Sequence, residues 1–75
     1  MPFENRAAYC ASKAGIVGLA RECAREFAQF NVRVNTMLPD ETADRSAIAN
    51  AAVFLASPNS DGITGTTMRI ANSEL

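Results

Sequence analysis

The sequence predicts an α/β unit in the order helix, strand, helix, strand, with its two strands parallel. Three observations carry that expectation. An alanine-rich stretch without proline runs from Ala7 to Phe30. Two short runs rich in β-branched residues, Val32–Met37 and Thr66–Ile70, are bounded by turn residues. Between them Ala47, Ile48, Ala51 and Leu55 fall on one helical face. A helix between two strands is the connection that parallel pairing requires.

The first helix has Asn5 as its expected N-cap and Asn31 as its stop. Gly15 and Gly18 lie inside it, where each costs roughly 0.5–1 kcal/mol relative to alanine. With Ala7 and Ala11 they form a stripe of small side chains, open either to the chain's own sheet or to a helix of a second subunit. The first strand is expected over Val32–Met37, ending before Pro39. Asp40-Glu41-Thr42 reads as a turn, with Thr42 or Asp40 able to cap the second helix. Asp44 falls in that helix's first turn, where the dipole favours an anion. The helix runs to about Ala56 and is ended by Ser57-Pro58. Asn59–Gly62 reads as loop, and the residues after Ile70 as a tail.

Composition excludes several classes. Hydrophobic residues make up 48% and charged residues 20%, as in a globular domain rather than a disordered one. The formal net charge is −1, so no basic surface points to nucleic acid or anionic lipid. No apolar run approaches the roughly 20 residues that span a bilayer. Met1–Arg6 lacks the pattern of a secretory signal, which makes the cytoplasm the default location. Cys10 and Cys23, 13 positions apart on one helix, stand roughly 20 Å apart, too far for a bridge. There is no histidine, and no zinc site is expected. At 75 residues the chain reads as one partial domain, 1–75, marginal unless associated with something else.

Tyr9 and Lys13 carry the candidate chemistry. Four positions apart on a helix, they share nearly one face. A nearby ammonium favours the ionised form of a phenol, and a tyrosine so placed serves as general acid toward a carbonyl oxygen or general base toward an alcohol. By itself the spacing is a weak signal, equally met by a half-buried tyrosine beside a solvated lysine. Its surroundings are more specific. Tyr9-Cys10-Ala11-Ser12-Lys13-Ala14-Gly15, then Val17-Gly18-Leu19, Ala24–Ala28, Asn31–Asn35, Ile48–Ser57 and Gly62-Ile63-Thr64-Gly65 follow in order along the chain. Together they resemble the C-terminal part of the short-chain dehydrogenase/reductase family.

The resemblance implies a partial Rossmann-type unit from an enzyme that moves hydride between a nicotinamide cofactor, NAD or NADP, and a carbonyl or alcohol. Tyr9 would exchange the proton. Lys13 would assist it and bind the nicotinamide ribose, making it the one cofactor-binding residue carried over. The family's glycine-rich phosphate loop, catalytic serine and supporting asparagine have no counterpart in these 75 residues. Asp40 follows Pro39 where the family has glycine, and the long substrate-covering loop is missing. The isolated chain is therefore expected to be inactive. The alternative is a non-catalytic module that forms homo-oligomers through the first helix, since the same resemblance places subunit contacts there.

Overall fold

A computed structural model describes residues 6–72. It contains helix α1 (Arg6–Phe27), strand β1 (Thr36–Pro39), helix α2 (Arg45–Ala56) and strand β2 (Thr67–Ile70), with one-turn 3-10 segments at Ala28–Phe30 and Pro58–Ser60. The strands pair in parallel, Thr36 opposite Thr67 and Pro39 opposite Ile70, in a two-stranded sheet. This is the expected partial Rossmann-type arrangement. The expected cap at Asn5 lies outside the described residues.

Helix α1 ends as its sequence dictates. Asn31 takes a left-handed backbone, φ 60° and ψ 37°. Its N–H donates to the Ala28 carbonyl at 3.0 Å, and the Val32 N–H donates to the Phe27 carbonyl at 3.2 Å. These two bonds close the helix, and asparagine is the non-glycine residue that best tolerates the required φ.

The first strand lies later than expected, at Thr36–Pro39 rather than Val32–Met37. The extended segment before it is stitched to the loop preceding β2 largely by side chains. The Val34 N–H donates to Thr64 Oγ1 at 3.0 Å, and its carbonyl accepts from the Gly65 N–H at 2.8 Å. Asn35 spans the same loop. Its Nδ2 donates to the Ile63 carbonyl at 2.9 Å, while its Oδ1 accepts from the Thr66 N–H at 3.1 Å and the Thr66 hydroxyl at 2.7 Å. Arg33 donates to the Ser60 hydroxyl and to the Ser57 carbonyl at 3.3 Å. Ser60 is fully buried, and its hydroxyl lies 2.9 Å from the Leu55 carbonyl. A guanidinium at the C-terminal end of α2 also complements the helix dipole.

Proline inside a strand needs an explanation. The Thr36 N–H donates to the Thr66 carbonyl and the Asp40 N–H to the Ile70 carbonyl, both at 3.0 Å. Alternation along the strand therefore turns the Pro39 nitrogen away from β2, where no ladder donor is missed.

The second helix also starts later than expected. Asp44 occupies the N-cap position itself, with an extended backbone and no side-chain capping bond. Neither Asp40 nor Thr42 caps it, because the two are bonded to each other. The expected apolar face is observed: Ala47, Ile48, Ala51 and Leu55, joined by Ala52, are all partly buried.

The core is thin. Among the described residues only Ala24 and Ile70 are buried apolar side chains, with Thr36 and Ser60 buried beside them. Helix α1 turns Lys13, Val17, Ala20, Cys23 and Ala24 inward. The small stripe does not face the sheet. A Cβ built on Gly15 or Gly18 meets no atom within 4 Å, so tight packing on the chain's own sheet is not what these glycines serve. The accessible surface is 5871 Å², against about 4,500 Å² for a compact monomer of this mass. The radius of gyration, 14.1 Å, likewise exceeds the roughly 11 Å of a compact chain this long.

Candidate active site

Tyr9 and Lys13 stand one turn apart near the start of α1, and the helix period brings them together as expected. The Lys13 Nζ lies 5.4 Å from the centroid of the Tyr9 ring, within cation–π range. Tyr9 is 44% exposed and Lys13 partly buried. Among the described residues, no hydrogen bond engages the lysine ammonium or the tyrosine hydroxyl. Both groups are left open to a ligand. The Ser12 hydroxyl is not, since it donates to the Tyr9 carbonyl at 2.9 Å.

Tyr9 and Lys13 open onto a cleft of about 270 Å³. Its other walls are Leu38 and Pro39 at the end of β1, Asp40 and Glu41 just beyond, and Arg69 on β2. The cleft thus sits at the C-terminal ends of the parallel strands, the end at which open α/β sheets bind ligands. A second hollow of about 350 Å³, lined by Arg6, Tyr9, Cys10 and Glu41, shares Tyr9 and Glu41 with the cleft.

The lip of the cleft is the three-residue turn after β1. Asp40 Oδ1 accepts from the Thr42 N–H at 2.8 Å and from the Thr42 hydroxyl at 2.6 Å. The Thr42 oxygen in turn accepts from the Asn72 N–H at 2.9 Å, two residues beyond β2. The Ala43 N–H closes the turn on the Asp40 carbonyl at 3.1 Å. The Thr42 hydroxyl, then its amide, hold the Asp40 carboxyl below its ordinary value, with a smaller contribution from the Arg69 charge.

Sequence reading identified Tyr9 and Lys13 but not Asp40, Glu41 and Arg69 as neighbours. The Asp-x-Thr spacing was a usable signal, since aspartate commonly bonds backbone two residues on. Arg69 carried none, because its place depends on strand pairing. Among the described residues no group of histidine, cysteine or carboxylate side chains is arranged to hold a metal. Among the described residues no helix is long and apolar enough to cross a membrane.

Comparison with known proteins agrees with this geometry. A family model described as short chain dehydrogenase matches residues 1–52. A trans-4-hydroxycyclohexanecarboxylate dehydrogenase of Sinomonas cyclohexanicum is 30% identical over 96% of this chain and 36% of its own length. A 3-oxoacyl-acyl-carrier-protein reductase of Vibrio harveyi is 36% identical over 83% of the chain and 36% of its own length. A human (3R)-3-hydroxyacyl-CoA dehydrogenase is 31% identical over 83% of the chain and 33% of its own length. The chain therefore spans about a third of the length of these relatives. The first alignment extends over 92 positions against a chain of 75 residues, so that relative carries residues inside the matched region that are missing here. With its Tyr-x-x-x-Lys helix, its parallel strand pair and these matches, the chain belongs to the short-chain dehydrogenase/reductase family.

Proposed function

We propose that this chain supplies the proton-transferring pair of an NAD(P)-dependent carbonyl or alcohol oxidoreductase, and that it does not turn over in isolation. The observation that carries the reading is the shared opening of Tyr9 and Lys13 onto one cleft at the strand ends. The Tyr9 hydroxyl gives a proton to a carbonyl oxygen in reduction, or takes one from an alcohol in oxidation. Lys13 supplies a fixed positive charge beside it. Its three N–H donors are also suited to the hydroxyls of a nucleotide ribose. A bound nicotinamide would supply the hydride in reduction and accept it in oxidation.

The residues present fit only that end of the cofactor. No glycine-rich segment stands at a helix N-terminus to cradle a pyrophosphate. Positioning of the reactants can supply roughly 7–11 kcal/mol of barrier reduction, which is lost without such a hold. The isolated chain is expected to bind NAD(H) and NADP(H) no better than millimolar. A calorimetric titration tests this, and a micromolar dissociation constant for either nucleotide would refute it.

A second reading, a homo-oligomerising module, is favoured by exposed apolar surface. Ile16, Leu19 and Phe30 on and just after α1 are 51%, 67% and 66% exposed. The excess of roughly 1,400 Å² over a compact monomer exceeds the ~800 Å² that each partner buries in a standard interface. Sedimentation equilibrium at micromolar concentration decides between one chain and several.

A further inference from the structure

We propose that Thr42 is a positioning residue: its hydroxyl clasps the C-terminal end of β1 to the end of β2, and so holds Asp40 and Glu41 in place beside Tyr9 and Lys13. Its functional meaning rests on the proton-transfer reading of Tyr9, to which it adds a residue that acts through others.

The first ground is the hydrogen bonding. A hydroxyl can donate and accept at once, and that of Thr42 does both. It donates to Asp40 Oδ1 at 2.6 Å and accepts from the Asn72 N–H at 2.9 Å. The Thr42 N–H adds a second bond to the same Asp40 oxygen, at 2.8 Å. One side chain thus joins two strand ends that lie 30 residues apart in sequence. The backbone alone does less. The Asp40 N–H donates to the Ile70 carbonyl at 3.0 Å, which fixes the start of the turn but leaves the Asp40 carboxyl free to rotate.

The second ground is what the lip carries. Asp40 and Glu41 line the cleft together with Tyr9, Lys13 and Arg69. The charges that face Asp40 are therefore Lys13 from α1, Arg69 from β2 and Glu41 at its side. Among the described residues no hydrogen bond or ion pair engages the Glu41 side chain, so the turn, and not a partner of its own, sets its place. Interaction between charges varies inversely with their separation. Displacing the lip therefore changes the charge around the tyrosine and the lysine without touching either. The Thr42 hydroxyl, then its amide, hold the Asp40 carboxyl below its ordinary value, which keeps that wall ionised at neutral pH.

The experiment follows the Asp40 carboxyl, the Tyr9 ring and the Lys13 side chain by nuclear magnetic resonance of the ¹³C-labelled 75-residue chain as pH is varied. Thr42→Val matches the shape of threonine but makes neither hydroxyl bond. It should move the Asp40 midpoint up toward the ordinary carboxyl range and shift the Tyr9 and Lys13 signals at neutral pH. Thr42→Ser keeps the hydroxyl and should leave all three near wild type. In wild type itself the Tyr9 and Lys13 signals should move with the Asp40 midpoint on acidification, a readout that needs no variant to fold. Tyr9 and Lys13 signals unchanged in Thr42→Val while the Asp40 midpoint rises would overturn the proposal. So would a serine variant that behaves like valine, or a wild type whose Tyr9 and Lys13 signals ignore the Asp40 titration. None of these signals depends on turnover, so their failure leaves the proton-transfer reading standing, and failure of that reading leaves the clasp standing.

Discussion

Replacing Asn35 by alanine removes the side chain that fastens the start of β1 to the approach to β2. Three hydrogen bonds go with it, to the Ile63 carbonyl, the Thr66 amide and the Thr66 hydroxyl. Each such bond contributes about 0.5–1.5 kcal/mol net. The two from Thr66 are exposed, so water takes over part of their role, and only the bond to Ile63 is partly shielded. The loss should come to roughly 2 kcal/mol. A chain this small rarely has more than about 3–5 kcal/mol of stability, so the variant loses close to half. Asn35→Asp keeps both acceptor bonds but turns a carboxylate oxygen toward the Ile63 carbonyl, and should lie between wild type and alanine. Urea unfolding followed by circular dichroism measures all three. With a denaturant slope near 1 kcal/mol per molar, Asn35→Ala should lower the midpoint by about 2 M. Coincident midpoints for wild type and Asn35→Ala would refute the reasoning and show that the loop is held by packing alone.

Two further perturbations address assembly and pH. The Cβ that Gly18→Leu adds meets no atom of the chain within 4 Å, and the change gains helix propensity of up to about 1 kcal/mol. If copies pair through the small stripe, sedimentation mass should fall to one chain while the helical signal persists; an unchanged multimer would clear the stripe of an interface role. Asp40 has its folded pKa depressed, chiefly by the Thr42 hydroxyl. The turn's contribution is thus present above the unfolded carboxyl value near 4 and is lost as pH falls through the lower folded value. Protection factors at Thr42 and Asn72, taken relative to intrinsic exchange at each pH, should fall on acidification in wild type, and Asp40→Asn should abolish that dependence.

Local rules were legible where local chemistry decides. Asn31 ends α1 because a left-handed residue is required there, and Ala47, Ile48, Ala51 and Leu55 keep the period that buries them. The one-turn spacing of Tyr9 and Lys13 likewise survives folding. The start of β1 was not legible. Val32–Asn35 has strand composition, but its partners are side chains and loop backbone 30 residues away, and only pairing reveals them. Asp40 and Thr42 both read as possible caps because they precede a helix, whereas Thr42 offers Asp40 two donors at shorter range. The walls of the cleft depend on register, since Arg69 reaches it only because Pro39 lies opposite Ile70. No local pattern encodes that alignment.

Pro39 bears on what the open edge of β1 offers to another strand. A parallel pair offers its unsatisfied backbone as a template to any extended peptide in solution, and runaway growth of such templates underlies amyloid. By turning its imide nitrogen to the outer side of β1, Pro39 withholds a hydrogen-bond donor at the end nearest Tyr9. An incoming strand can dock along the earlier residues but cannot continue in register past the proline. The same residue that walls the cleft therefore leaves the edge of β1 one donor short at the end where the cleft opens.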